Sequence, residues 1–335
     1  MKQYSAIDLF KLFAAILVVA IHTHPFYPTV LDYYFTCFCR IAVPFFFVAT
    51  SFFFFRKPDA DIRKYNTRML TIYILWFVIE LPIVYHKFFI EFDRSLPLQI
   101  ANFARCLLFS NTWGASWYIM ACVISVNIIY YLTRTHNNMV ALALAGCCYF
   151  VSLLGGSYYG AFVGLLDERS ATLFQAFCYL FCPTNSFIVA LMYIVAGKVI
   201  AANEHRLCDY SIRHRGILLI ATLSAMLSGA VEMSMMAWSV QVDDTFVFLL
   251  PLICVLFVLL MGSPLGINKE AARWCRSLSI LIYLIHPIFT FINSYSGIMD
   301  EFGLATFVVV LATSMLLASL IIILSKRYTF LRKLY

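Results

Sequence analysis

Apolar residues in this chain neither alternate nor confine themselves to one helical stripe; they run in long blocks broken by short polar clusters. A bilayer-spanning helix needs about 20 mostly apolar residues. On that ruler the pattern predicts ten spans, at about 7–26, 37–55, 67–90, 111–132, 139–156, 184–203, 215–235, 244–262, 277–296 and 304–325. The connecting segments are short, except around 86–110 and at 157–183. The latter, where Gly155, Gly156 and Gly160 precede Asp167, Glu168 and Arg169, reads as a partly amphipathic excursion. The first block carries Asp8 and Lys11 in its opening turns and His22 and His24 at its end. It has no small-x-small cleavage site, so it is expected to be retained as a helix.

Composition supports this pattern. Of the 335 residues 63% are hydrophobic and only 12% charged. Soluble domains average roughly 45–50% apolar and about 25% charged. Disorder, collagen, coiled coil and disulfide scaffold are excluded on the same ground. The 32 Phe and 20 Tyr argue for helices packed in lipid, because the strands of a membrane barrel dilute their apolar content by alternation. The expected fold is therefore an all-α, polytopic membrane protein, a single domain over 1–335 with the lipid bilayer as partner and no role for nucleic acid. The net charge of +7 has to be read loop by loop. With a cytoplasmic N-terminus and ten spans, 19 of the 24 Lys and Arg fall inside, which predicts that both termini are cytoplasmic.

The 11 cysteines lie mostly inside apolar runs (Cys122, Cys147, Cys148, Cys178, Cys182, Cys254) and do not form paired CxxC motifs. Buried free thiols behaving as small hydrophobes are expected, with no metal site. Cys37 and Cys39, near a membrane surface, are poorly placed to bridge each other. No Walker loop, HExxH, GxSxG or dinucleotide fingerprint occurs.

Ionisable groups within a bilayer are costly and tend to mark function. Lys11 and His22 are three helical turns apart, so they share one face about 16 Å apart along the axis. Asp8 falls on the same face and can pair with Lys11. Arg40 follows a short outer hairpin and returns to the membrane face of His22, where it can grip a carboxylate or phosphate or anchor the helix at the headgroups. Glu80, just before Pro82, lies deep enough to need a partner. His286 falls near mid-span ahead of Pro287. Glu232, Trp113 and Trp117 are candidates for lining an outer cavity, although tryptophans also form interfacial belts. Arg63, Lys64 and Arg68 cluster where the third span leaves the cytoplasm. They suit anionic lipid or a phosphate-rich donor such as coenzyme A.

The segment 7–22, Ile-Asp-Leu-Phe-Lys-Leu-Phe-Ala-Ala-Ile-Leu-Val-Val-Ala-Ile-His, resembles the first helix of the acyltransferase family 3 membrane proteins, with its basic residue, ten intervening residues, then His. Arg40-Ile-Ala-Val-Pro-Phe-Phe-Phe-Val-Ala-Thr-Ser, the basic run ending at Arg68, Ser116-Trp117-Tyr118-Ile119, Gly197-Lys198 and Tyr283-Leu284-Ile285-His286-Pro287 match in order. Within that family the chain looks like the membrane domain of the vancomycin-resistance serine racemases. Its end, Leu331-Arg332-Lys333-Leu334-Tyr335, resembles the point where their racemase domain would begin. Three departures stand out. Lys11 replaces the usual Arg, Thr50-Ser51 replaces Ser-Gly, and Tyr65 interrupts the Arg-x-x-Arg pattern.

The resemblance implies a multi-pass protein of the bacterial cytoplasmic membrane. It would move an acyl group, acetyl for preference, from a cytoplasmic acyl-CoA to an extracytoplasmic hydroxyl on a small molecule, cell-envelope glycan or amino acid. His22 would be the general base. Lys11, Arg63 and Arg68 would hold the donor, with Asp8 in support. Arg40, Glu80, Trp117, Tyr283 and His286 would shape the acceptor side. Acyl-CoA would be a co-substrate, with no bound cofactor. The alternative implied is an L-serine transport module, in which Arg40 holds the carboxylate and Glu80 the ammonium.

Overall fold

The computed structural model describes residues 3–92, 94–109, 116–135, 138–236 and 245–335. All regular structure among these residues is helical. α1 (Ser5–Thr23) leads through a tight loop to α2 (Val30–Cys39) and α3 (Ala42–Phe55). α4 (Ile62–Ile79) breaks at Glu80 into α5 (Leu81–Tyr85) and a π-helical turn, His86–Glu91, bent by 72°. α6 (Leu96–Phe109), α7 (Ser116–Thr135) and α8 (Asn138–Leu154) follow, then the short α9 (Tyr159–Val163) and α10 (Glu168–Phe181). α11 (Phe187–Ala202) turns by 82° into α12 (Glu204–Arg213). α13 (Arg215–Met236), α14 (Leu249–Met261), α15 (Lys269–Ser296) and α16 (Leu304–Leu324) complete the bundle, and a final 3-10 turn covers Thr329–Leu334.

By length and apolar composition, six helical segments among the described residues can cross a membrane, or eight if each bent pair is one span. α6, α8 and α14 are shorter apolar helices. A helix overlies each of the ten predicted runs, but boundaries shift for local reasons. The second run is two helices, and Arg40 caps the C-terminus of α2 rather than opening a helix. Just ahead of Pro82 the helix breaks fully. α15 starts at Lys269, eight residues early, because Asn268 Oδ1 accepts from the Ala271 amide at 2.7 Å and nucleates a polar first turn outside the apolar run. Similarly, Asp61 accepts from the Arg63 and Lys64 amides to start α4. The 157–183 excursion resolves into α9 and α10, neither of which buries a residue.

Burial divides the helices. α1 pairs with α15 and α3, and α3 packs along α11. Gly197 permits the last contact, since a Cβ there would lie 2.5 Å from the Val48 carbonyl and 2.6 Å from Ser51 Cβ. Ser51 Oγ donates to the Ile194 carbonyl across the same seam. Close backbone approach over small residues is how helices associate where lipid removes the hydrophobic drive between them. By contrast α13 and α16 leave Leu223, Leu227 and Leu316 more than 60% exposed. Helices apolar all round but unburied by protein suit lipid.

Candidate functional site

The loop after α1 sets the outer end of the site. His24, in a left-handed conformation, closes α1, and its Nδ1 meets Asp32 Oδ2 at 2.7 Å. Asp32 Oδ1 accepts from the Phe26 amide, so one buried carboxylate fastens α2 back on α1. This hairpin delivers Arg40 to the level of His22, as its length suggested.

Between them lies a cavity of about 130 Å³. His22 and Arg40 line it with Trp117 and Tyr283, as do Thr184 and Asn185 from the turn before α11, and Tyr193 and Thr245. Its walls are otherwise apolar, from Val18, Ile21, Val43, Pro44, Phe47, Val189 and Leu249. Behind His22 stands His286, ring centroids 5.2 Å apart. His286 is buried, and its Nδ1 lies 3.1 Å from the Ile282 carbonyl. A proton on Nδ1 satisfies that carbonyl and leaves Nε2 an acceptor. Tyr283, one turn earlier, packs edge-on to Tyr118, whose hydroxyl shares a 2.8 Å hydrogen bond with Thr50 Oγ1.

The inner end of α1 has a different character. Asp8 is 2% exposed and faces two cations, Lys11 Nζ at 3.8 Å and Arg276 Nε at 3.5 Å. Lys11 also lies over the Phe53 ring at 4.2 Å. Arg68 is close enough to Lys11 to repel it, whereas Arg63 stays on the exposed opening turn of α4. Nearby, Arg56 Nη2 bonds Glu204 Oε1 at 2.6 Å, and Tyr4 donates to the same oxygen at 2.8 Å. Burial and that carboxylate push the Tyr4 phenol well up from its ordinary value.

The structure therefore brings His22, Arg40, Trp117 and Tyr283 together, with His286 behind them. It does not bring Glu80 there. Glu80 is 1% exposed at the α4–α5 break, and neither carboxylate oxygen has a hydrogen-bond partner among the described residues. Glu232 is not in the wall either: it accepts from Tyr158 and from the Val247 and Phe248 amides, fastening the start of α14. Trp113 lies outside the described residues. Sequence reading missed Thr184 and Asn185, although Pro183-Thr184-Asn185 is a turn signal at a helix start. It also missed the role of Arg276, which it used only as a topological charge.

These motifs belong to one family. Residues 4–324 match the acyltransferase domain of acyltransferase family 3, and the chain is a member of that family. Among curated proteins it is similar to an amino-acid racemase of Enterococcus faecalis, 28% identical over 346 residues covering 96% of this chain and 46% of that protein. A second amino-acid racemase of E. faecalis is 28% identical over 269 residues, 78% of this chain and 36% of that protein. A serine/alanine racemase of Enterococcus gallinarum is 23% identical over 84% of this chain and 40% of its own length. The chain thus spans less than half of each of these relatives. No solved structure matches it.

Proposed function

We propose that this protein is a membrane acyltransferase that takes an acyl group, acetyl for preference, from a cytoplasmic acyl-CoA and places it on a hydroxyl held in the His22 cavity. The single observation carrying this reading is the placing of an exposed imidazole and a guanidinium in one small cavity at the outer end of a helix whose inner end bears Lys11. His22 would take the acceptor's hydroxyl proton as its oxygen attacks the acyl carbon, the general-base role that an imidazole most often fills. The C–S bond breaks as the ester forms, and His22 returns its proton to the departing thiolate, so that coenzyme A leaves as the thiol and the imidazole is restored. Arg40, Asn185 and Thr184 would orient the acceptor. Lys11 and Arg68 would meet donor phosphates, and Arg63 would assist from the surface. The whole of 1–335 would form this one domain, with ten spans, in the bacterial cytoplasmic membrane and with both termini cytoplasmic.

A second reading, an L-serine transport module, draws on the racemase names of the relatives. Arg40 suits the carboxylate. Glu80 does not line the cavity, nor does any other acid among the described residues, so the ammonium would have only aromatic faces to meet. The acyltransferase reading is the better supplied. His22→Ala, purified beside the parent, tests it. Acyl transfer should fall by roughly 10²–10⁴, as loss of a general base typically costs, with membrane insertion and melting temperature unchanged. Unchanged turnover would remove His22 from the chemistry.

A further inference from the structure

One cation on α6 holds two thiols. Arg105 Nη1 donates to Cys182 Sγ at 3.0 Å and Nη2 donates to Cys106 Sγ at 3.1 Å. The guanidinium is fixed from other sides. It bonds Asn102 Oδ1 through Nε and Nη2, donates to the Tyr179 carbonyl at 2.6 Å and lies over the Tyr179 ring at 4.4 Å. Lys87 also bears electrostatically on both sulfurs. Two cations and two thiols thus share one small region where α6 meets the end of α10. Cys106 is buried, whereas Cys182 is partly exposed. Cys182 ends α10 at φ 44°, a left-handed backbone that residues other than glycine rarely adopt. Two residues on, Thr184 and Asn185 enter the cavity wall.

A cation beside a sulfur favours thiolate, and the thiolate is the species that attacks a disulfide. We propose that Cys182 and Cys106 are a redox couple that reacts with small disulfides, Cys182 attacking and Cys106 resolving. Cys182 Sγ bonds to one sulfur of RSSR and expels RS⁻, which takes up the proton that Cys182 gave. Cys106 Sγ then bonds to Cys182 Sγ, expels the second RS⁻, and its own proton completes the second RSH. Two protein thiols are oxidised, one external disulfide is reduced, and the bridge ties α6 to the turn beside the cavity. Arg105 positions both sulfurs and favours the attacking anion. None of this rests on the acyl-transfer reading.

The test uses the full chain in detergent micelles, treated with glutathione disulfide, alkylated and mapped by peptide mass. The wild type should yield a Cys106–Cys182 disulfide. Cys106→Ser should stop at a glutathionyl adduct on Cys182. Arg105→Leu should slow modification of Cys182 severalfold, because the attacking sulfur loses the cation bonded to it. Arg105→Lys should recover part of that rate. If Arg105→Leu fails to fold, the wild type and Cys106→Ser decide alone. A wild type in which both thiols survive while exposed Cys147 reacts would overturn the proposal. So would a lasting glutathionyl adduct on Cys182 with Cys106 present.

Discussion

The two ends of α1 use charge in opposite ways. At the outer end, His22 and Arg40 face open space, walled by aromatic and aliphatic groups and supplied with neutral polar groups by Thr184 and Asn185. At the inner end, Lys11 and Arg276 share the one Asp8 carboxylate, and Phe53 covers the ammonium. Of the two ends, only the groups at the His22 end line a cavity among the described residues; those at the Lys11 end pack against one another and against Phe53, which stabilises the bundle. A ligand at the Lys11 end would have to replace part of that internal pairing, whereas one at the His22 end would enter a cavity that already exists.

The largest effect expected from this contrast is at the inner end. Removing both cations, Lys11→Met with Arg276→Met, strands the Asp8 carboxylate and should destabilise the protein by about 3–5 kcal/mol, as an orphaned buried charge does. Adding Asp8→Asn should recover most of the loss. Each cation removed singly should cost far less, because Asp8 keeps the other. Thermal unfolding in micelles measures all four variants.

At the outer end, Arg40→Leu should leave folding intact and raise the acceptor KM by roughly 10–100-fold, the equivalent of a charged hydrogen bond worth about 1.5–3 kcal/mol. The donor KM should not move. An equal rise in both would mean that the two ends are not separate sites.

A smaller effect separates scaffold from site. Gly197→Ala pushes a methyl into the Val48 carbonyl and Ser51 and should cost about 1–3 kcal/mol of stability, the usual range for overpacking. The KM values should be unaffected while the fold survives, since Gly197 touches neither end of α1.

How far the sequence reached depended on the range of the interaction. Apolar runs are local, so each of the ten predicted segments has its helix. The i to i+3 pairing of Asp8 with Lys11 was legible for the same reason, and so was the return of Arg40 through a short hairpin. Arg276 was not, because it approaches Asp8 from a helix 268 positions further on and no spacing announces it. α6 was passed over because Gln99, Asn102 and Arg105 interrupt its apolar run. The break at Glu80 was not legible, since Pro82 signals a lost hydrogen bond and not the angle that packing then imposes. Glu80 was linked to the cavity by its depth and the family resemblance, and Glu232 by its place along the helix. Depth does not say which way a side chain faces, and Glu232 is held instead by two amides and a phenol. Burial, together with the Glu232 carboxylate, keeps the Tyr158 phenol well above its usual range.

Group transfer at the His22 cavity, as proposed, can be measured directly. The most direct measurement is on wild-type proteoliposomes given acetyl-labelled acetyl-CoA on the cytoplasmic side and L-serine, separately labelled, on the other. The account predicts coenzyme A release with the acetyl label appearing as an ester on a hydroxyl compound, and no accumulation of free serine across the membrane. Serine uptake with no coenzyme A release, and no binding of coenzyme A by calorimetry, would contradict it.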